Sequence, residues 1–179
     1  MKRAWILTTV WLCFLGCQKE APNVLPNPAP SEPDEVLFNS TITLTEQGTL
    51  KSKIKADRIL RYENQAPLFL YHIDALFYDS LKRQQARVTA DSGSANEKNQ
   101  YVELRGHIQV VYSNGTKIDG DSLTWDQANQ KVTTEGFVKI IKKDGSVLTG
   151  TGLETDPQFK SYRLKNPAGE VRVPEEKNK

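Results

Sequence analysis

The chain has 179 residues, of which 26% are charged and 37% hydrophobic; it contains two cysteines, and its formal net charge at pH 7 is +2. This length is enough for one domain with a sizeable core. Two cysteines exclude a disulfide-rich scaffold, and the near-neutral charge gives no electrostatic reason to expect a nucleic-acid partner.

The first sixteen residues have the pattern of a secretory signal. A short basic start is followed by an apolar run over residues 4–15, which is too short for an ordinary membrane-spanning helix. The run leads into Gly16 and Cys17, which together have the form of a bacterial lipobox. We therefore predict a signal peptide over residues 1–16 and a lipid on Cys17; the alternative is a short uncleaved anchor with an incidental cysteine.

Cleavage at this point changes the charge and the cysteine content. It removes Lys2, Arg3 and Cys13, so that the formal net charge falls from +2 to 0 and Cys17 is the cysteine that remains. A disulfide within the mature domain is then impossible, and the domain must be held together by its own core. Cleaved or not, the rest of the chain is expected outside the cytoplasm, tethered to a membrane.

The next segment, residues 17–34, carries five prolines and few apolar side chains. This composition is typical of an extended spacer that holds a domain away from a membrane. The folded domain is predicted over residues 35–173, and residues 174–179 form a charged tail that is expected to fray.

Polar and apolar residues alternate through most of the domain, which indicates strands with one buried and one solvated face. Asn114-Gly115 and Asp144-Gly145 are strong signals for tight hairpin turns. No segment has a convincing helical period. Together these patterns predict strands near residues 36–45, 49–61, 67–79, 86–97, 100–112, 116–127, 131–143, 146–156 and 161–173.

A thirty-residue repeat runs through the second half of the domain. Three similar tripeptides follow one another at this spacing: Ala90-Asp91-Ser92, Gly120-Asp121-Ser122 and Gly150-Thr151-Gly152. Gly106 and Gly136 are also thirty residues apart. A step of this length with two turn signals corresponds to one β-hairpin, repeated. The repeat predicts an extended sheet surface.

The glycines inside these strands predict bends, because glycine within a strand marks a bulge or a kink. After Gly120 and after Gly150 the apolar positions change from even to odd numbers, as from Ile118 to Leu123. One extra residue at each glycine would keep these side chains on the same face. A row of bends would fold the long strands into two facing sheets; alternation alone favours a closed sandwich.

The residues that could carry chemistry form no catalytic or metal-binding pattern. His72 and His107 are the two histidines, and neither has a partner at metal-ligand spacing. Asp91 and Asp121 recur with the hairpin, which favours a structural role beside the bend. The chain also lacks a nucleophile elbow and a glycine-rich phosphate loop. We therefore expect no enzymatic activity, no metal and no cofactor.

A series of short motifs runs through the domain in a fixed order. They are LFNS at 37–40, IKADR at 54–58, TADSG at 89–93, YVELRGHI at 101–108, LTWD at 123–126 and LTGTGL at 148–153. Their order and spacing resemble the LptC family, the membrane-anchored periplasmic components of lipopolysaccharide export, over about residues 36–173. LptA, a related periplasmic bridge protein, shares this fold and repeat.

The resemblance implies an all-β fold, a twisted open β-jelly roll of two facing antiparallel sheets built from repeated long hairpins. It thus favours an open lipid trough over a closed sandwich. It implies a non-enzymatic protein that binds lipopolysaccharide, receives it from an inner-membrane ABC transporter and passes it to an LptA-like protein by edge-strand pairing. The candidate edges lie near Leu37–Leu44 and Tyr162–Val173.

The trough is expected to be lined by the inward-facing apolar side chains. The predicted lining residues are Val102, Leu104, Ile108, Val110, Leu123, Trp125, Val132, Val138, Ile140, Leu148 and Leu153. The resemblance favours the inner membrane as the site of anchoring, whereas Gln18 in place of an aspartate after Cys17 favours the outer membrane.

Two other functions compete with lipid transfer. One is a lipid-tethered structural or assembly scaffold with a closed β-sandwich core. The other is a carbohydrate-binding jelly roll, which would need exposed aromatic residues beside polar ones on one sheet face. The alternation supplies no clear set of that kind.

Overall fold

The computed structural model of the chain describes residues 32–62, 67–96, 98 and 100–170. The predicted signal peptide, the lipidated Cys17, most of the spacer and the residues beyond 170 lie outside this part. The described residues form nine strands: β1 (Glu35–Glu46), β2 (Thr49–Arg61), β3 (Pro67–Tyr78), β4 (Gln84–Asn96), β5 (Tyr101–Tyr112), β6 (Lys117–Asp126), β7 (Lys131–Ile141), β8 (Val147–Thr155) and β9 (Tyr162–Glu170).

Each strand pairs in antiparallel fashion with the next one in the chain, so that the nine strands form one open sheet with β1 and β9 at its edges. The predicted all-β fold is confirmed, and the predicted strands match the observed ones to within a few residues at their ends. The described ranges hold no helix long and apolar enough to cross a membrane.

The two predicted tight turns are confirmed, and side chains hold both of them. Gly115 and Gly145 have φ angles of 89° and 82°, in the left-handed region that glycine adopts without steric cost. The side-chain oxygen of Asn114 accepts a hydrogen bond from the backbone N–H two residues later at 2.9 Å. Asp144 does the same at 2.8 Å.

A row of bends crosses the sheet at mid-strand. The pairing register shifts there between β4 and β5, and at every later strand pair up to β8 and β9. Four residues other than glycine adopt left-handed backbone conformations along this row: Asn39, His72, His107 and Asn166, with φ angles of 46°, 52°, 40° and 45°. The bends therefore lie where the glycines of the repeat predict them. At several of them the residue with the left-handed backbone is a histidine or an asparagine instead of a glycine.

The bends divide the sheet into two layers. Layer 1 holds the strand ends that meet at the Asn114-Gly115 and Asp144-Gly145 turns, and layer 2 holds the opposite ends. The ring of Phe77, in layer 1, meets the ring of Trp125, in layer 2, edge to face at 5.7 Å between centroids. Opposite ends of the strands are therefore in contact, and the two predicted facing sheets are the two halves of one continuous sheet.

The core lies between the layers and draws on both. Ile140 and Val138 of layer 1 are 0% and 2% exposed, and Leu153 of layer 2 is 2% exposed. Ile118 is buried in the same cluster against which Leu123 packs, so the predicted change of parity after Gly120 is confirmed. Complete burial of one such aliphatic side chain is worth about 1.5–3 kcal/mol.

Candidate functional site

The predicted lining residues all lie in β5–β8, and the structure places nine of the eleven in or against the core between the layers. Six are buried: Ile108, Val110, Val132, Val138, Ile140 and Leu153. Leu104, Leu123 and Leu148 are partly buried and pack against the core. Val102 and Trp125 are of intermediate exposure, near the strand ends.

Strand register explains why these side chains converge. In layer 1, Val110 pairs with Ile118, Ile118 with Ile140, and Ile140 with Leu148, so that four strands contribute to one apolar row. Directly paired residues lie on the same face of a sheet. In layer 2 Leu104 likewise pairs with Leu123.

Sequence reasoning missed the part of this surface that β1–β4 supply. The layer 1 row continues from Val110 through Val88, Ala75 and Ile54 to Ile42. In layer 2, Leu104 pairs with Gly93 and Gly93 with Leu70, and the row then reaches Ile59. The period-two pattern of β2 is a usable signal for this extension, whereas β3 is too continuously apolar for its inner face to be read from sequence.

An aromatic stack centred on Phe159, in the β8–β9 loop, lies beside this inner surface. Phe159 is 8% exposed and lies between Tyr112 and Tyr162, with ring centroids 5.6 Å and 4.8 Å away. Asp156 holds the loop, because its carboxylate accepts hydrogen bonds from the backbone N–H groups of Gln158, Lys160 and Ser161. These bonds hold the pKa of Asp156 below its usual value, although burial acts in the opposite direction.

Acidic residues and histidines alternate on the solvent side of the bend. Asp57 Oδ2 lies 3.1 Å from His72 Nδ1, and Asp91 Oδ2 lies 2.6 Å from His107 Nδ1. The hydrogen bond with Asp91 raises the pKa of His107, and the charge of Asp121 adds to the effect. All these side chains are exposed, and the contact of Asp91 agrees with its predicted structural role beside the bend.

A polar depression of about 510 Å³ lies near the β6–β7 turn. Asp126 is among the residues that line it, and its carboxylate accepts hydrogen bonds from the hydroxyl of Tyr101 at 2.9 Å and from the side-chain amide of Asn129 at 2.7 Å. None of the predicted lining residues borders it. Across the described ranges, no group of three or more His, Cys, Asp and Glu side chains is placed to hold a metal ion.

The two edges of the sheet differ in character. The edge strand β1 presents four large apolar side chains to solvent, with exposed fractions of 37% to 67%: Val36, Leu37, Phe38 and Leu44. At the other edge, β9 is almost entirely exposed and contains Pro167, which has no N–H to donate. The described sheet thus has unequal edges, and the apolar one is at β1.

The sequence model of one protein family, described as lipopolysaccharide-assembly, LptC-related, matches residues 4–168. This range includes β1–β8 and most of β9. No curated protein matches the sequence. The chain therefore belongs to the LptC-related family and has a role in the transport of lipopolysaccharide in the cell envelope.

Proposed function

We propose that the protein is a non-enzymatic component of the transenvelope export bridge, which takes lipopolysaccharide from an inner-membrane ABC transporter and passes it to an LptA-like periplasmic partner. The observation that carries this proposal is the continuous apolar surface between the layers, which extends from β1 to β8. An apolar surface of this length is suited to binding acyl chains away from water.

The energetics of lipid transfer require a path of this kind. Each methylene kept out of water is worth about 0.8 kcal/mol, so a lipid with several acyl chains resists passage through the periplasm unaided. Chains held between the layers would remain dry, while the sugar and phosphate groups stay in solvent beyond the strand ends. The eleven predicted lining residues would supply the middle of the path, and β1–β4 would extend it.

The burial of the lining determines how lipid would enter. Ile140, Val138 and Leu153 are closely packed, with exposed fractions of 0% to 2%. Acyl chains would therefore enter by separating the layers and replacing contacts between side chains with contacts to lipid. Such an exchange of apolar contacts costs little free energy, because both states keep hydrocarbon out of water.

The edges would connect the protein to its neighbours. An edge strand has unpaired backbone groups that can pair with a strand of another chain. We propose that the transporter and the LptA-like protein each extend the sheet at one edge, so that the inner surfaces become continuous.

The N-terminus would hold the domain at the membrane. A lipid on Cys17 would anchor the chain, and residues 17–34 would serve as its spacer. The export role favours the inner membrane, and Gln18 favours the outer membrane. Mass spectrometry of the N-terminal peptide, together with fractionation of the two membranes, distinguishes these locations.

Native mass spectrometry of the purified full chain tests the proposal. We expect co-purified lipopolysaccharide with the wild type and with Lys139→Glu, because Lys139 is exposed. Ile140→Glu places a charge in the lining and should release the lipid. A soluble, folded wild-type protein that carries no lipid would overturn the proposal.

The tight burial of Ile140 and Val138 favours one alternative, a lipid-tethered assembly scaffold with a closed core. That function predicts stable folding without bound lipid. It also predicts that depletion of the protein leaves lipopolysaccharide export intact. Transfer predicts that lipopolysaccharide accumulates in the inner membrane after depletion.

A further inference from the structure

The indole N–H of Trp125 is buried and has no acceptor among the residues that the structure describes. The indole nitrogen can only donate a hydrogen bond. The residue as a whole is only of intermediate exposure, and a tryptophan of this kind ordinarily turns its N–H towards water or a polar partner. A buried donor without a partner therefore requires an explanation.

The orphan donor lies in the predicted lipid path. Trp125 pairs with Val102 on one side and with Val132 on the other, and Val132 is buried. Its ring meets that of Phe77 from the opposite layer. Trp125 is also the next-to-last residue of β6, so its N–H lies between the layers but close to the strand ends.

Two hydroxyl groups of β6 and β7 are hydrogen-bonded to each other. Ser122 Oγ and Thr134 Oγ1 are 3.0 Å apart. Thr134 Oγ1 also accepts a hydrogen bond from the backbone N–H of Gly136 at 3.0 Å. These two hydroxyl groups thus already have hydrogen-bonding partners, and the side chains shown to pair with or contact Trp125, those of Val102, Val132 and Phe77, are apolar.

We infer that the indole N–H of Trp125 donates a hydrogen bond to the ester or amide carbonyl of an acylated lipid bound between the layers. This inference rests on the proposed lipid-binding function and adds a specificity-determining residue to it. In such apolar surroundings water does not compete for the donor, so a carbonyl gains a full hydrogen bond. The position near the strand ends matches a lipid whose chain is inside and whose head group is in solvent.

Two matched lipids test the inference with the full chain: ester-linked and ether-linked lysophosphatidylcholine with chains of the same length, used as monomers. They differ in the carbonyl group. We expect the wild type to bind the ester-linked lipid about tenfold more tightly, which is the size of effect that one hydrogen bond to a buried donor produces. Trp125→Phe should bind both lipids equally and keep the affinity of the wild type for the ether-linked one.

A control variant and a spectroscopic measurement separate this effect from general packing. Phe77→Leu keeps the indole N–H of Trp125. It should therefore weaken the binding of both lipids by the same factor and preserve the tenfold preference for the ester-linked one. In the ¹⁵N–¹H spectrum of tryptophan-labelled protein, the indole signal that is lost in Trp125→Phe should shift with the ester-linked lipid and much less with the ether-linked one.

Equal affinities in the wild type, or a preference that persists in Trp125→Phe, would overturn the inference and leave the proposed function standing. A wild-type protein that binds neither lipid would also overturn the inference, whereas the proposed function fails only if the folded wild type carries no lipopolysaccharide.

Discussion

Gly106 and His107 form the bend of β5, and both have left-handed backbone conformations, with φ angles of 76° and 40°. A Cβ atom on Gly106 would collide with the carboxylate of Asp91. That carboxylate is the one that holds the ring of His107. Three residues on the neighbouring strands β4 and β5 thus fix one bend. They do so through the left-handed backbone, the close approach of Asp91 to Gly106, and the hydrogen bond between Asp91 and His107.

Gly106→Ala is expected to destabilise the domain by about 1–3 kcal/mol, because alanine is strained at this φ and its methyl group displaces Asp91. Urea unfolding followed by circular dichroism measures the change. Gly120→Ala is the matched control. Gly120 lies in the same row of bends, on the neighbouring strand β6, but its backbone is not left-handed, and a Cβ there would make ordinary contacts of 3.4 Å and 3.5 Å. Equal losses in the two variants would contradict this account of the bend.

The stability of the domain should depend on the protonation of His107. Asp91 raises the pKa of this histidine, so the folded state favours the protonated form. The contribution of protonated His107 to the free energy of unfolding is therefore fully present below the pKa of about 6.5 in the unfolded chain, and it is lost as the pH rises through the pKa of the folded state. NMR titration should give a pKa above 6.5 in the wild type and a lower value in Asp91→Asn.

The accompanying stability measurement is the urea midpoint between about pH 6 and pH 8. The midpoint should fall less with pH in Asp91→Asn than in the wild type. Identical histidine pKa values in the two proteins would show that the Asp91 contact is absent in solution.

At the scale of elements, the β8–β9 loop has two structural features. Asp156 organises its turn, and Phe159 stacks between Tyr112 of β5 and Tyr162 of β9. Burial raises the pKa of Tyr112 to about 12, with a smaller contribution from the charge of Asp156. Phe159 of the loop therefore covers one side of the Tyr112 ring, and both side chains belong to the core.

Phe159→Ala should cost about 3–5 kcal/mol of stability, the range for a large buried side chain. It should also expose Tyr112 and move its pKa from about 12 towards the ordinary value of about 10. Thermal unfolding and an ultraviolet titration of the tyrosines measure the two effects.

Phe137→Ala is the control, because Phe137 is 56% exposed; we expect its stability to stay within about 0.5 kcal/mol of the wild type. If both variants behave alike, Phe159 does not hold the loop.

The strands and turns were predictable because each has a local signal: alternation for β5 and β7, and Asn-Gly or Asp-Gly for the turns. The left-handed conformations of His72 and Asn166 were not predictable, because neither position is a glycine and no glycine lies next to it. These conformations depend on the packing of the whole sheet. The inward orientation of Trp125 follows from the change of parity. The orphaned state of its N–H does not, because it depends on contacts between the layers.

At the scale of the whole molecule, one folded sheet creates both an apolar interior and two edge strands, β1 and β9, at which we propose that partners pair. Phe38 is 67% exposed on the edge strand β1. Phe38→Asp should leave the unfolding midpoint almost unchanged, because an exposed substitution changes stability by about 0.5 kcal/mol or less. It should nevertheless weaken pairing of β1 with a partner strand, which pull-down of the transporter and of the LptA-like protein measures.

Leu81→Asp provides the comparison for the edge. Leu81 is 69% exposed in the β3–β4 turn, away from both edge strands. Loss of both partners' binding in Leu81→Asp, or of neither in Phe38→Asp, would contradict a role of β1 in assembly.

In-cell photo-crosslinking tests most directly the claim that acyl chains lie between the layers. A crosslinking amino acid replaces Leu104 or Ile140 on the inner face, and Glu103 or Lys139 on the exposed face of the same strands. We predict lipopolysaccharide adducts at Leu104 and Ile140 and none at Glu103 and Lys139. Equal labelling at all four positions, or labelling at the exposed pair alone, would contradict the account.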